Sequence, residues 1–135
     1  MAYKKGKRTV KKLLTADDKF TLLVDEVLNH IDIGVYESSR TTKRQMQMFK
    51  RKKSQINGTT RLSKHQITAT KPKSRAIDCF PYKRGLNVFK MSDEAMLLWY
   101  EMNWQFYRAS LKLGIPITQG YLWSFKDFPH IEIQG

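Results

Sequence analysis

The segment from Ser92 to Gly114 constrains the fold more than any other part of the chain. Ser92 suits an N-cap and Gly114 suits a stop, so a long helix is predicted from Ser92 to about Lys112. Met96, Leu97, Trp99, Tyr100, Trp104, Tyr107 and Leu111 read as its apolar, core-facing side. Short apolar or alternating stretches follow at Ile115 to Thr118, Tyr121 to Ser124 and His130 to Ile133. They read as hairpin strands of a small antiparallel sheet.

The earlier half repeats this mixture. With Thr15 as N-cap, Phe20, Leu23, Val24, Val27, Leu28 and Ile31 recur every three or four residues and predict an amphipathic helix. Ile33, Val35 and Glu37 alternate as a short strand, Thr41 or Thr42 opens a second helix through Phe49, and Arg75 to Pro81 reads as a buried strand. Residues 50 to 75 are polar, basic and broken by Asn57-Gly58 and Pro72, which predicts a long loop. The expected architecture is α+β: a small central antiparallel sheet with helices packed to one side. Residues 1 to 14 are expected as a basic mobile tail, and residues 15 to 135 as a single domain.

Charge and cysteine content bound the setting. A net charge of +13 in 135 residues implies an anionic partner, whether nucleic acid, lipopolysaccharide, acidic phospholipid or an acidic wall polymer. Cys79 is the single cysteine, so no internal disulfide forms, and it reads as a small buried hydrophobe in a protein made in a reducing compartment or one that folds whatever the redox state. The basic stretch Met1 to Arg8 is not followed by the apolar region of a signal peptide, and no apolar run approaches the roughly 18 residues of a membrane span. The chain is therefore expected to start in the cytoplasm.

Of three histidines, two fall in clusters that also carry a carboxylate or lie near one. Ser63-Lys64-His65, Ala76-Ile77-Asp78 and Asp127-Phe128-Pro129-His130 together supply two imidazoles, a carboxylate ligand and a spare carboxylate. That is the composition an open catalytic zinc site requires. His30 has no such company and reads as an ordinary histidine.

In that order, Ser63-x-His65, Ala76-x-Asp78 and Asp127-x-Pro129-His130 resemble the zinc signature of the D-alanyl-D-alanine carboxypeptidase and L-alanyl-D-glutamate endopeptidase superfamily, which includes phage lysis enzymes. Arg40-Thr41 with Gln45 is similar to a further segment of that superfamily, so the likeness spans roughly residues 15 to 135. Two departures stand out. The connection from His65 to Asp78 is about twice the usual length, and Ser74 stands where a glycine is usual.

The resemblance implies His65, Asp78 and His130 as ligands of one zinc ion, with a fourth position open for water. It implies Asp127 as general base and Arg40 as the group that stabilises an oxyanion or binds a substrate carboxylate. Ser63, Gln45 and Trp123 are expected on the substrate, with Tyr121 beside Trp123 on the groove wall. Glu132 is expected to orient a ligating imidazole.

The function implied is cleavage of an amide in the peptidoglycan stem peptide by a monomeric phage enzyme. Such an enzyme would cling to the anionic envelope through its basic surface, reaching the wall after release from the host cytoplasm or within a virion. The endopeptidase is preferred, with the carboxypeptidase as alternative. From another class, a basic nucleic-acid-binding phage protein would use Lys4 to Lys12 and Lys43 to Lys53 on phosphates, but it leaves the His and Asp clusters unexplained. A third reading is a relative of the fold that binds wall material or zinc without turnover.

Overall fold

Strand alternation organises the molecule. In the computed structural model, which describes residues 2–54, 56–59, 62–69 and 71–134, one antiparallel sheet is formed by β1 (Ile33–Glu37), β2 (Ala76–Pro81), β3 (Ile117–Gln119) and β4 (His130–Ile133). The strand order is β1-β2-β4-β3. Ile33, Val35, Ile77, Cys79, Ile131 and Ile133 belong to the buried apolar core. Because side chains alternate along a strand, Asp78, His130 and Glu132 emerge on the opposite face. Pairing sets Asp78 directly across from His130, and a register shift after Val35 brings Glu37 across from Asp78.

The helices cover the core face. α2 (Lys19–Val27) and α4 (Asp93–Leu113) pack on each other, and α4 also packs on β2 and β3. Phe20, Leu23, Leu28, Met102 and Phe106 are fully buried there, each contributing roughly 1.5–3 kcal/mol relative to exposure. α4 has the ends its sequence predicts. The Ser92 hydroxyl accepts from the Ala95 amide, and Gly114 takes the left-handed conformation with φ 66°. α3 (Thr42–Lys50) is capped by Thr41, whose hydroxyl accepts from the Arg44 amide. Among the described residues no helix is long and apolar enough to cross a membrane.

Four expectations need correction. Residues 7–13 are not a mobile tail but form α1 (Lys7–Leu13), which packs along β1. Two small anchors suffice: Thr9 is buried with its hydroxyl accepting from the Val35 amide, and Leu13 enters the core. Thr15 does not cap α2, which begins four residues later. The backbone of Thr15 and Asp17 is instead paired with Ser74, fastening one end of the long basic loop. Residues 121–124 are not a strand, because a 3-10 turn over Gly120–Leu122 closes with the Trp123 amide donating to the Gly120 carbonyl.

The fourth correction concerns α4. It buries Ala95, Trp99, Met102, Phe106 and Ala109, while Leu97, Tyr100, Trp104, Tyr107 and Leu111 face outward. Both stripes have helical spacing. The buried one carries alanine at each end, which lets α4 approach the rest of the core closely.

Candidate active site

The face of the sheet away from α2 and α4 gathers the three charged clusters. β2 supplies Asp78, β4 supplies His130, and His65 arrives from the long loop, whose next residue, Gln66, forms a bridge with Arg40. Nε2 of His65 lies 3.1 Å from Nδ1 of His130. The Oδ1 atom of Asp78 is 3.2 Å from the first and 3.5 Å from the second. All three residues are buried.

The outer nitrogens of the two imidazoles dictate what faces inward. His65 Nδ1 is 2.9 Å from the Ser38 carbonyl, which only accepts, so that nitrogen carries the proton and Nε2 presents a lone pair. His130 Nε2 donates to Glu132 Oε1 at 2.8 Å, which leaves the lone pair on Nδ1. Burial raises the Glu132 pKa, but the hydrogen bond from His130 together with the charges of His130, Lys64 and His65 outweighs it and holds the group below its ordinary value. Glu132 is therefore an ionised acceptor.

Two nitrogen lone pairs and a carboxylate oxygen thus converge, and Asp78 Oδ1 is buried without a hydrogen-bond partner. Such a cluster requires a cation in its midst. Without a metal a proton serves: burial opposes charge on His130, yet the neighbouring Asp78 and Glu132 carboxylates raise its pKa to about 9. Burial likewise raises the Asp78 pKa, but His65 and His130 overcome it and hold the carboxyl well below the usual carboxylate range. The donor set fits zinc. Ligands at about 2.0 Å in a tetrahedron stand about 3.3 Å apart, which is close to the spacing here.

Asp127 sits beside the cluster with Oδ2 3.9 Å from His130 Nδ1. Burial and the negative charge of Asp78 raise its pKa, against the pull of His130, His65 and Arg40. A carboxyl so placed holds a proton more readily than an ordinary one.

A groove of about 1040 Å³ opens over these groups, lined among others by Arg40, Lys53, Lys64, Trp123, Phe125 and Asp127. The Trp123 ring lies 4.9 Å from that of His130. Tyr121 is not among the lining residues and packs against Tyr100 instead. Ser63 lines the groove, and its hydroxyl accepts from the His65 amide, holding the turn that presents this imidazole. His30 is exposed and apart.

Arg40 reaches the groove, though much of its fork is engaged: Nε and Nη2 pair with Glu37 Oε1, and Nη1 donates to Gln45. Three of five N–H groups are used, and two remain among the described contacts. Gln45, expected on the substrate, is fully buried behind Arg40. Its amide donates to Ser54 Oγ and the Ile56 carbonyl.

Several contributors escaped the sequence reading. Glu37 orients Arg40, and the Ser38 carbonyl orients His65, a backbone role with no side-chain signature. Gly120 is the third. A Cβ there would stand 2.5 Å from the Asp127 carbonyl oxygen and 2.9 Å from His130 Cβ. Gly120→Ala is expected to displace both residues. It should cost about 1–3 kcal/mol in a denaturant titration and weaken metal binding measured on the same protein.

The comparisons agree with this geometry. Among solved structures, the fold is similar to that of the L-Ala D-Glu endopeptidase ChiX from Serratia marcescens, with a TM-score of 0.74 and 20% identity over 95% of this chain and 87% of that one. No curated protein sequence matches the chain closely enough to count as a relative. Residues 1–134 match the phage L-alanyl-D-glutamate peptidase family, and the chain belongs to that family.

Proposed function

We propose that this chain is a zinc-dependent endopeptidase that hydrolyses the L-alanyl-D-glutamate amide of the peptidoglycan stem peptide, with one ion per chain held by His65, Asp78 and His130. The observation that carries this reading is the convergence of three lone-pair atoms at 3.1–3.5 Å with the Asp127 carboxyl beside them at the floor of an open groove. Zinc held there would supply positive charge that polarises a scissile carbonyl and lowers the pKa of a water so that it can be deprotonated.

The chain's own groups do the rest. Asp127 accepts the proton of the attacking water on its carboxylate and returns it to the leaving amine. Arg40 turns its two remaining N–H groups toward the carbonyl oxygen or the glutamyl carboxylate. Ser63 and Trp123 position the peptide along the groove, and Glu132 keeps His130 in its ligating tautomer. The net charge of +13 favours adhesion to the anionic envelope, where this enzyme acts on the wall after release from the cell that made it or from a virion.

Gln45 enters as a positioning residue. Gln45→Ala leaves Arg40 Nη1 without its acceptor and frees the loop at Ser54 and Ile56. It should lower stability by about 1–3 kcal/mol and raise KM more than it lowers kcat.

The deciding experiment measures metal content of the purified chain and the fragments it releases from peptidoglycan. One zinc per chain and new L-alanine carboxyl and D-glutamate amino ends are expected. Release of free D-alanine alone would turn the assignment to the carboxypeptidase. Salt-sensitive binding to DNA without zinc or fragments would overturn the enzyme.

A further inference from the structure

The outward stripe of α4 consists of Leu97, Tyr100, Trp104, Tyr107 and Leu111, between 44% and 71% exposed. Their spacing of three, four, three and four residues is that of a coiled-coil seam. Contiguous apolar surface of this kind marks a docking face. We propose that this face pairs with the same face of a second copy, the two α4 helices running antiparallel about a two-fold axis at Trp104.

Two observations select a second copy. The first is that the stripe is a palindrome. Leu97 and Leu111 lie seven residues either side of Trp104, while Tyr100 and Tyr107 lie four before and three after. A two-fold interface places each residue against its mirror position, so the surface must complement itself. Here leucine meets leucine and tyrosine meets tyrosine to within one residue, or about 1.5 Å of helix rise.

The second is the charge along one edge of the stripe. Glu94, Glu101 and Arg108 are seven residues apart and share that edge, with Lys112 near it. Acid occupies the N-terminal half and base the C-terminal half. In the antiparallel pair Glu101, three residues before the axis, faces Arg108 of the second copy, four after it. Glu94, ten before, faces Lys112, eight after. In a parallel pair this edge would face the opposite edge of the second helix, Met96, Asn103 and Ser110, so these charge pairs would not form. Glu94 forms an exposed ion pair with Lys83, whereas Arg108 and Lys112 also reach the buried Glu26, and Glu101 and Arg108 both bond Gln105. In the dimer Arg108 and Lys112 are therefore shared between Glu26 and the second copy.

Pairing leaves the groove free, because α4 packs on the core face of the sheet and the ligand cluster lies on the other. The seam spans about 21 Å of helix, a small contact, so the dimer is a weak one. Two chains of net charge +13 repel, hence added salt should strengthen the dimer, the reverse of binding to an anionic surface.

The test is sedimentation equilibrium of the full chain over 1–500 µM and two salt concentrations, with Trp104→Asp, Leu97→Ala and Glu101→Lys alongside. Thermal unfolding checks that each variant folds. The native chain should dimerise more tightly at high salt, Glu101→Lys should weaken dimerisation at least several-fold, and Trp104→Asp should stay monomeric. A native chain that is monomeric throughout overturns the proposal. So does dimerisation unchanged in folded Trp104→Asp or Leu97→Ala. Trp104-dependent binding to phosphatidylglycerol vesicles by a monomeric chain would instead make this a lipid-facing surface.

Discussion

Stripping the metal with a chelator is expected to abolish peptide release and to lower the thermal midpoint by roughly 10–20 °C, both restored by stoichiometric zinc. The stability change follows from the cluster itself. His65 Nε2, His130 Nδ1 and Asp78 Oδ1 stand within 3.1–3.5 Å of one another, with their outer partners Ser38 and Glu132 fixing the tautomers. Free zinc at a thousand times its dissociation constant stabilises a native state by about 4.1 kcal/mol. For a chain of this size each kcal/mol moves the midpoint by a few degrees.

His130→Ala and Asp78→Asn should reproduce the loss of metal and activity and should show no zinc-dependent shift. The shift reads metal binding without substrate, so it separates a failed metal site from a failed assignment of the bond. A chain whose midpoint ignores both chelator and zinc would sink the ligand set, whatever its activity.

How far the sequence reached depended on whether a pattern had one reading. The strands that carry Asp78 and His130 were legible as short apolar runs bounded by proline and polar residues. The sequence marked residues 75–81 and 130–133 as strands, while Asp78, His130 and Glu132 were picked out by the resemblance. The structure adds that Ile77, Cys79, Ile131 and Ile133 turn to the core and leave those three on the other face. The ends of α4 were legible too, since Ser92 and Gly114 act locally.

The phase of α4 was not legible. Two stripes with helical spacing lie on it, and the larger aromatic one points to solvent because the alanine-bounded one fits the core. α1 was missed because its anchors are one hydroxyl and one leucine among lysines. Gln45 and Gly120 share another cause: each acts through contacts with residues distant in sequence, a buried amide under Arg40 and a missing Cβ against Asp127. Spacing along the chain carries no trace of such contacts.

Asp127→Asn is the sharper test of mechanism, and peptide release should fall by about 10²–10⁴-fold with zinc still bound at one ion per chain. The substitution keeps volume and shape, and the backbone that matters is untouched: the Asp127 amide still donates to the Gly120 carbonyl, and its carbonyl still accepts from the His130 amide. What disappears is a carboxylate able to take a proton 3.9 Å from His130 Nδ1. Its side chain is 41% exposed and ligates nothing, so melting midpoint and zinc content should stay near native values. A parallel loss of zinc would make Asp127 a support for the ligand cluster. Full activity with metal bound would remove it from the proton transfer and return that role to another group in the groove. Glu37 is the nearest rival by sequence register with Asp78, but its Oε1 atom is committed to Arg40. Glu132 is committed to His130. Asp127 therefore remains the carboxylate beside the cluster with no other assigned partner among the described hydrogen bonds, and this is why the largest effect short of losing the metal is expected there.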